Sequence, residues 1–226
     1  MSQLQLDRHE ENPAYLNEQL ITYIGNKRAL LHFIEQGLRL VCQRLGKEKL
    51  ATFDVFSGSG VVARFLKRYS ARLFVNDIET YSHIINTCYL ANTSVLDLPA
   101  LEHWYGWLQG RLTEDALVPG FISELYAPRD MHHIQPGERC FYTPRNARYI
   151  DTARSLIAQM PEQYQAFFIA PLLAEASVHA NTAGVFKGFY KNRETGTGQF
   201  GGRNRDALKR ILGDIHISMP LFSNFE

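Results

Sequence analysis

Four positions have the residue types and spacing to hold a nucleotide-like ligand: Asp54, Gly58, Gly60 and Asp77. Asp54 to Arg64 reads D-V-F-S-G-S-G-V-V-A-R, a glycine turn between an apolar run and an amphipathic one. Glycine lets a backbone approach a ligand closely and take turn conformations that other residues resist. Gly58-Ser59-Gly60-Val61-Val62-Ala63 formally satisfies G-x-G-x-x-A, and Asp77 ends the next apolar run where an acid could grip a ribose. A dinucleotide site is one reading. Asp54 weighs against it, because a carboxylate at the mouth of the strand opposes a pyrophosphate seated on the following helix N-terminus. The same carboxylate suits a cationic ligand such as S-adenosylmethionine, whose ammonium and sulfonium groups sit beside an adenosine. A nicotinamide-dependent oxidoreductase and a tight turn that simply needs glycine are the alternatives.

A second glycine run, Gly196-Thr197-Gly198-Gln199-Phe200-Gly201, also matches G-x-G-x-x-G, but no apolar strand precedes it. Its surroundings are basic and aromatic instead. Lys187, Lys191, Arg193, Arg203, Arg205, Lys209 and Arg210 face only Glu194 and Asp206 across Asn181 to Arg210, a local excess of five positive charges. Interleaved with Phe186, Phe189, Tyr190 and Phe200, these suit phosphate contacts with stacking against bases. A solvated basic loop is the plainer reading. The eight histidines show no metal-ligand spacing, and no serine or cysteine sits in a nucleophile-elbow context, so neither a metal site nor a nucleophile is expected.

The elements that position these residues follow from periodicity. From Lys27 to Leu45, apolar residues at Leu30, Leu31, Ile34, Leu38, Val41 and Leu45 predict a helix with one buried stripe. ATFDVF, the glycine turn, VVARFLKRY and RLFVND then read as strand, turn, helix and strand, and TYSHIINTCYLAN as a further helix. This is the start of a parallel α/β sheet. Beyond about Leu96 the texture becomes helical and proline-punctuated. Thr143-Pro144 reads as an N-cap followed by proline at the first helical position, Pro171 should kink or divide the apolar segment Gln163 to His179, and Asn181 to Gly202 should be an exposed loop.

Composition bounds the answer without choosing it. With 226 residues and 45% hydrophobic content the chain can fill a sizeable core, and a net charge of +1 conceals any local patch. Cys42, Cys88 and Cys140 are widely spaced and fit reduced thiols. The polar, acidic N-terminus and the lack of an apolar run of about twenty residues predict a cytoplasmic protein without a membrane segment.

Taken together, these motifs resemble the adenine-N6 DNA methyltransferases that place target recognition between the cofactor and catalytic motifs, the group that includes Dam. LITYIGNKRALL, Leu20 to Leu31, is similar to that family's N-terminal cofactor motif, DVFSGSG to its glycine motif and VNDIE to its next strand. YAPRD, GERCFYT, ANTAGVFKGFYKN and GQFGG resemble the recognition region of one subgroup. The resemblance implies the first part of a Rossmann-like, S-adenosylmethionine-dependent methyltransferase sheet followed by a mainly helical target-recognition domain. Residues 1–95 would be the cofactor-binding part, 96–216 the DNA-binding domain, and 217–226 a return toward the sheet. It implies S-adenosylmethionine on Tyr23, Ile24, Gly25, Lys27, Asp54, Phe56, Gly58, Ser59, Gly60, Asp77 and Ile78. Double-stranded DNA would meet Lys187, Tyr190, Lys191, Arg193, Gln199, Arg203 and Arg205.

Such an enzyme flips an adenine from the duplex and holds its amine with an Asp- or Asn-Pro-Pro-aromatic loop. No such tetrapeptide occurs in the chain; Asn12-Pro13-Ala14-Tyr15 lacks the second proline and precedes the cofactor motif. No catalytic residue is therefore assigned, and that loop is expected beyond residue 226. The expectation is a cofactor-binding and DNA-recognition portion from a restriction-modification or phage setting. It is completed by a second polypeptide or by more of the same one, or else it is an inactive remnant that only binds DNA or cofactor.

Overall fold

A computed structural model describes residues 10–17, 20–21, 27–183, 188–202 and 207–226. These residues divide into two compact units, one built from Met1–Gln19, Gly25–Leu98 and Pro220–Glu226, the other from Leu20–Ile24 and Pro99–Met219. The described residues form a mixed fold of helices with one small sheet.

In the first unit, strands β1 (Leu50–Asp54) and β2 (Ser70–Val75) run parallel, with Asp54 beside Val75. Parallel neighbours need a crossover, supplied by helix α3 (Val61–Leu66) and a 3-10 turn at Lys67–Tyr69. Helix α4 (Thr80–Tyr89) follows β2. The core sits between these helices and the strands: Val61, Ala63, Phe65, Leu66, Ile85, Cys88 and Tyr89 are buried. Arg64 is buried with them at 1% exposure. A buried guanidinium must keep partners. This one donates to the Tyr15 carbonyl at 2.5 Å and lies over the rings of Tyr15 and Tyr89. Tyr15, in the short helix α1 (Pro13–Asn17), donates its hydroxyl to the Tyr89 carbonyl at 2.6 Å, which pins the N-terminal segment onto this core.

The helix expected from Lys27 forms as a 3-10 turn at Arg28–Leu30 running into α2 (Leu31–Leu45), stopped by Gly46 at φ 60°. Its stripe is not buried as the spacing predicts. No residue of α2 is buried, and Leu30, Val41 and Leu45 are about half exposed. An amphipathic helix hides its stripe only against an opposing apolar surface, and the described residues leave this stripe largely uncovered. The strand faces nearby are similar, with Phe53 59% and Phe74 49% exposed.

The second unit holds α5 (Leu98–Gln109), which begins at the last residue of the first unit, then α6 (Phe121–Tyr126), α7 (Pro144–Ile157), α8 (Glu162–His179) and α9 (Leu208–Leu212). The expected cap is present: Thr143 accepts from the Asn146 N–H with Pro144 at the first turn of α7. Asp151 of α7 caps α6 in turn, its carboxylate accepting from the N–H groups of Ile122 and Ser123 at 2.8 Å. Pro171 does not divide its segment, because α8 runs through it with the ring buried. Packing offsets the one backbone bond that proline forgoes. Residues 213–217 lie extended along α7, where Asn146 donates to the Gly213 carbonyl and accepts from the Ile215 N–H. Ile215 and Ile217 are thereby buried. Among the described residues no helix is long and apolar enough to cross a membrane.

Candidate functional site

The glycine turn sits where β1 and β2 end, and hydrogen bonds past the strands shape it. Asn76 N–H donates to the Asp54 carbonyl at 2.9 Å, Ser57 N–H to the Asn76 carbonyl at 3.0 Å, and the Asn76 side chain to the Val55 carbonyl at 3.0 Å. Gly58 and Gly60 take φ of 52° and 72°, left-handed values that strain any residue with a Cβ. Gly60 needs glycine twice over, since an added Cβ would stand 2.9 Å from Asn86 Oδ1. At Gly58 the space for a Cβ is open.

Asp77 is tied to the same turn. One carboxylate oxygen accepts from the Gly58 N–H at 2.7 Å and the other from the Glu79 N–H at 3.0 Å, just before α4. Both strand-end acids therefore frame one glycine turn. Asp54 differs from Asp77 in having an oxygen, Oδ2, that is buried without a hydrogen-bond partner. Burial raises the Asp54 pKa above the ordinary carboxylate range, while the positive charge of Lys27 and the backbone N–H groups of Phe56 and Ala63 oppose that rise. An orphaned buried acceptor is costly unless something arrives to satisfy it. A ligand ammonium answers that need.

Phe56 and Ile78 follow the two strand ends and stand 77% and 96% exposed. They offer apolar surface beside the carboxylates. Ser59 is buried within the turn. The structure thus gathers Asp54, Phe56, Gly58, Ser59, Gly60, Asp77 and Ile78 at one end of the sheet, with Lys27 close enough for its charge to act on Asp54. Tyr23, Ile24 and Gly25 lie outside the described residues. Three residues of this region escape the sequence reading: Ser57, Ser82 and Asn86. Asn86 donates to Ser57 Oγ at 2.8 Å and to Ser82 Oγ at 3.2 Å, fastening the turn to α4. Their signal was the four-residue spacing of Ser82 and Asn86, which stacks polar side chains on a buried helix face.

The basic segment is more ordered than a loose loop. Lys191 and Gly198 form an isolated antiparallel bridge, and the Asn192 side chain accepts from the N–H groups of Glu194 and Thr195 to make the reversal. Asn181, fully buried, donates to the carbonyls of Cys140 and Gln199 and accepts from the Gly201 N–H. Lys191 and Arg193 are exposed, with the Lys191 ammonium 5.3 Å from the Phe189 ring centre, while Tyr190 and Gln199 are half-buried. Lys187, Arg203 and Arg205 lie outside the described residues. Cys140 is buried, and desolvation pushes its thiol up to about 12. Among the described residues no group of three His, Cys, Asp or Glu side chains could hold a metal ion.

Residues 23–208 match the family described as D12 class N6 adenine-specific DNA methyltransferase. Three curated relatives are similar to this chain. The Type II methyltransferase M.NlaIII of Neisseria lactamica is 30% identical over 179 residues, 76% of this chain and 50% of that protein. The Type II methyltransferase M.CviAII of Paramecium bursaria Chlorella virus 1 is 29% identical over 85% of this chain and 53% of its own length. The Modification methylase LlaI of Lactococcus lactis subsp. lactis is 27% identical over 75% of this chain and 27% of its own length. The chain therefore spans about half the length of the first two and about a quarter of the third. No solved structure matches it.

Proposed function

Because the chain belongs to the D12 class of N6 adenine-specific DNA methyltransferases, we propose that it holds S-adenosylmethionine in its first unit and double-stranded DNA in its second. The observation that carries the reading is Asp54 Oδ2, a buried and unpartnered carboxylate oxygen beside the glycine turn. A pyrophosphate would be repelled there, whereas an ammonium would satisfy it. When bound, S-adenosylmethionine supplies a methyl group activated by its sulfonium.

The chain's own residues would then divide the work. Asp54 accepts from the ammonium, with Lys27, Gly25 and the neighbouring Tyr23 and Ile24 around the carboxylate of the methionine end. Asp77 keeps lone pairs for the ribose hydroxyls while its bonds to Gly58 and Glu79 fix its position. Gly58 leaves room for its backbone to approach the ligand, Ser59 and Gly60 complete the turn that holds it, and the exposed Phe56 and Ile78 flank the adenine. This end of the chain, residues 1–95, is the cofactor-binding part of a Rossmann-like sheet, and residues 96–216 are the target-recognition domain. Lys187, Lys191, Arg193, Arg203 and Arg205 meet phosphates, with Tyr190 and Gln199 nearer the bases.

Relatives named as type II methyltransferases support a role in a restriction-modification setting. No Asp- or Asn-Pro-Pro-aromatic tetrapeptide stands among the 226 residues, so this reading gives the described units the two binding tasks. That loop, in more of the same polypeptide or in a second one, positions the adenine amine. The exposed Phe33, Phe53 and Phe74 suit the segment that carries the loop, since apolar surface beside a short sheet invites cover. Incubating the chain with tritium-labelled S-adenosylmethionine and duplex DNA tests the division. Both ligands should bind without transfer of label to DNA; incorporation by residues 1–226 alone would refute the assignment of these residues to binding without catalysis.

A further inference from the structure

Opposite the basic hairpin of the second unit stands a turn that the motif reading leaves unassigned, and the two enclose an open cleft of about 1440 Å³. One wall is the hairpin, with Lys191, Arg193 and Gln199; the other is residues 131–135, with His132, His133 and Gln135. Resting on the reading that this unit takes duplex DNA, we propose that residues 131–135 are the second wall of the DNA-contacting cleft. His132, His133 and Gln135 thereby touch the same duplex as Lys191 and Arg193.

Three observations point this way. First, the walls are fastened to each other and so present one surface. Asn181 ties the Cys140 carbonyl to the Gln199 carbonyl and Gly201 N–H, and Gly198 comes so near that an added Cβ would stand 2.8 Å from Cys140 Cβ and 3.4 Å from Ile134 Cγ2. Second, the acids of the turn are engaged in building it. Asp130 accepts from the His132 N–H at 2.8 Å and meets His133 Nδ1 at 2.9 Å, and Glu138 accepts from the N–H groups of Arg129 and Gln135. Third, the tips keep capacity for a partner: the His133 side chain is 79% exposed, His132 is exposed, and the exposed Gln135 spends only one of its two amide N–H groups, on the His133 carbonyl at 2.9 Å. The imidazole of His132 and the remaining amide N–H of Gln135 are donors of the kind that reach phosphate oxygens and base edges, while His133, held at Nδ1 by Asp130, offers its Nε2. A cleft this large and open exceeds the roughly 300–1,000 Å³ of a small-molecule pocket, whereas Lys191 and Arg193 against Glu194 favour a polyanion.

The test is fluorescence anisotropy with a labelled random-sequence duplex of about two helical turns, titrated at several salt concentrations. His132→Ala with His133→Ala should weaken binding about fivefold. Gln135→Lys should tighten it and steepen the salt dependence by about 0.9 in slope, the increment for one more neutralised phosphate. Ser155→Lys, an exposed position of α7 outside the cleft, should leave the slope unchanged. If Gln135→Lys also leaves the slope unchanged while Lys191→Ala with Arg193→Ala flattens it, the second-wall assignment is overturned. If neither Gln135→Lys nor Lys191→Ala with Arg193→Ala moves the slope, the hairpin itself is not the DNA site, and the inference falls with its premise.

Discussion

Replacing Asp54 by Asn should move stability and cofactor affinity in opposite directions. In the ligand-free protein the Asp54 carboxylate is partly buried with one oxygen unpartnered, and burial raises its pKa. A group whose folded pKa lies above its unfolded value contributes stability at low pH, and that contribution is lost as pH rises through the folded value. Asp54→Asn removes this loss, so the variant should melt higher than the parent at pH 7 to 8, with the gap closing in acid. For the cofactor the change runs the other way. Two unit charges about 4 Å apart attract by about 4 kcal/mol at an effective dielectric near 20. After desolvation, a hydrogen bond to a charged group nets about 1.5–3 kcal/mol. Calorimetry should therefore find S-adenosylmethionine bound roughly 10- to 150-fold more weakly. Methylthioadenosine, which lacks the ammonium, should bind the variant and the parent equally. An unchanged affinity for S-adenosylmethionine, or an equal loss for both ligands, would refute the ammonium assignment.

Asp77→Ala removes the acceptor for Gly58 and Glu79 N–H groups, at about 1–3 kcal/mol for a group left unpaired. Scanning calorimetry should show a lower melting temperature and titration a weaker cofactor, with duplex affinity intact; unchanged cofactor binding contradicts the ribose role. Lys191→Ala with Arg193→Ala should weaken duplex binding and flatten its salt slope by about 0.9 for each phosphate that is no longer neutralised, read by anisotropy. Asn181→Ala orphans two carbonyls and an N–H inside the second unit and should cost at least about 2 kcal/mol in denaturant unfolding.

The elements around the glycine turn were legible because their signals are local. The alternation from ATFDVF through VVARFLKRY to RLFVND yields β1, α3 and β2, and the Thr143-Pro144 cap falls at the start of α7. What escaped depends on partners distant in sequence. The α2 stripe has helical spacing, yet whether it is buried depends on what faces it. Pro171 breaks a helix by local rules, but burial of its ring keeps α8 continuous. Asn181 looked like the start of a loop, whereas its side chain joins segments about 20 and 40 residues away. For the site, Asp54 and Asp77 could be found from type and spacing. That Asp77 bonds Gly58, and that Asn86 and Ser82 brace Ser57, could not, since those contacts exist only once the strands are side by side.

Under the proposed function the glycine turn serves a cationic methyl donor and not a pyrophosphate. Equilibrium dialysis of the chain with tritium-labelled S-adenosylmethionine, in competition with NADH, tests it most directly. The expected result is saturable binding of one equivalent, displaced by S-adenosylhomocysteine and indifferent to NADH. Binding of NADH with no uptake of S-adenosylmethionine would contradict it.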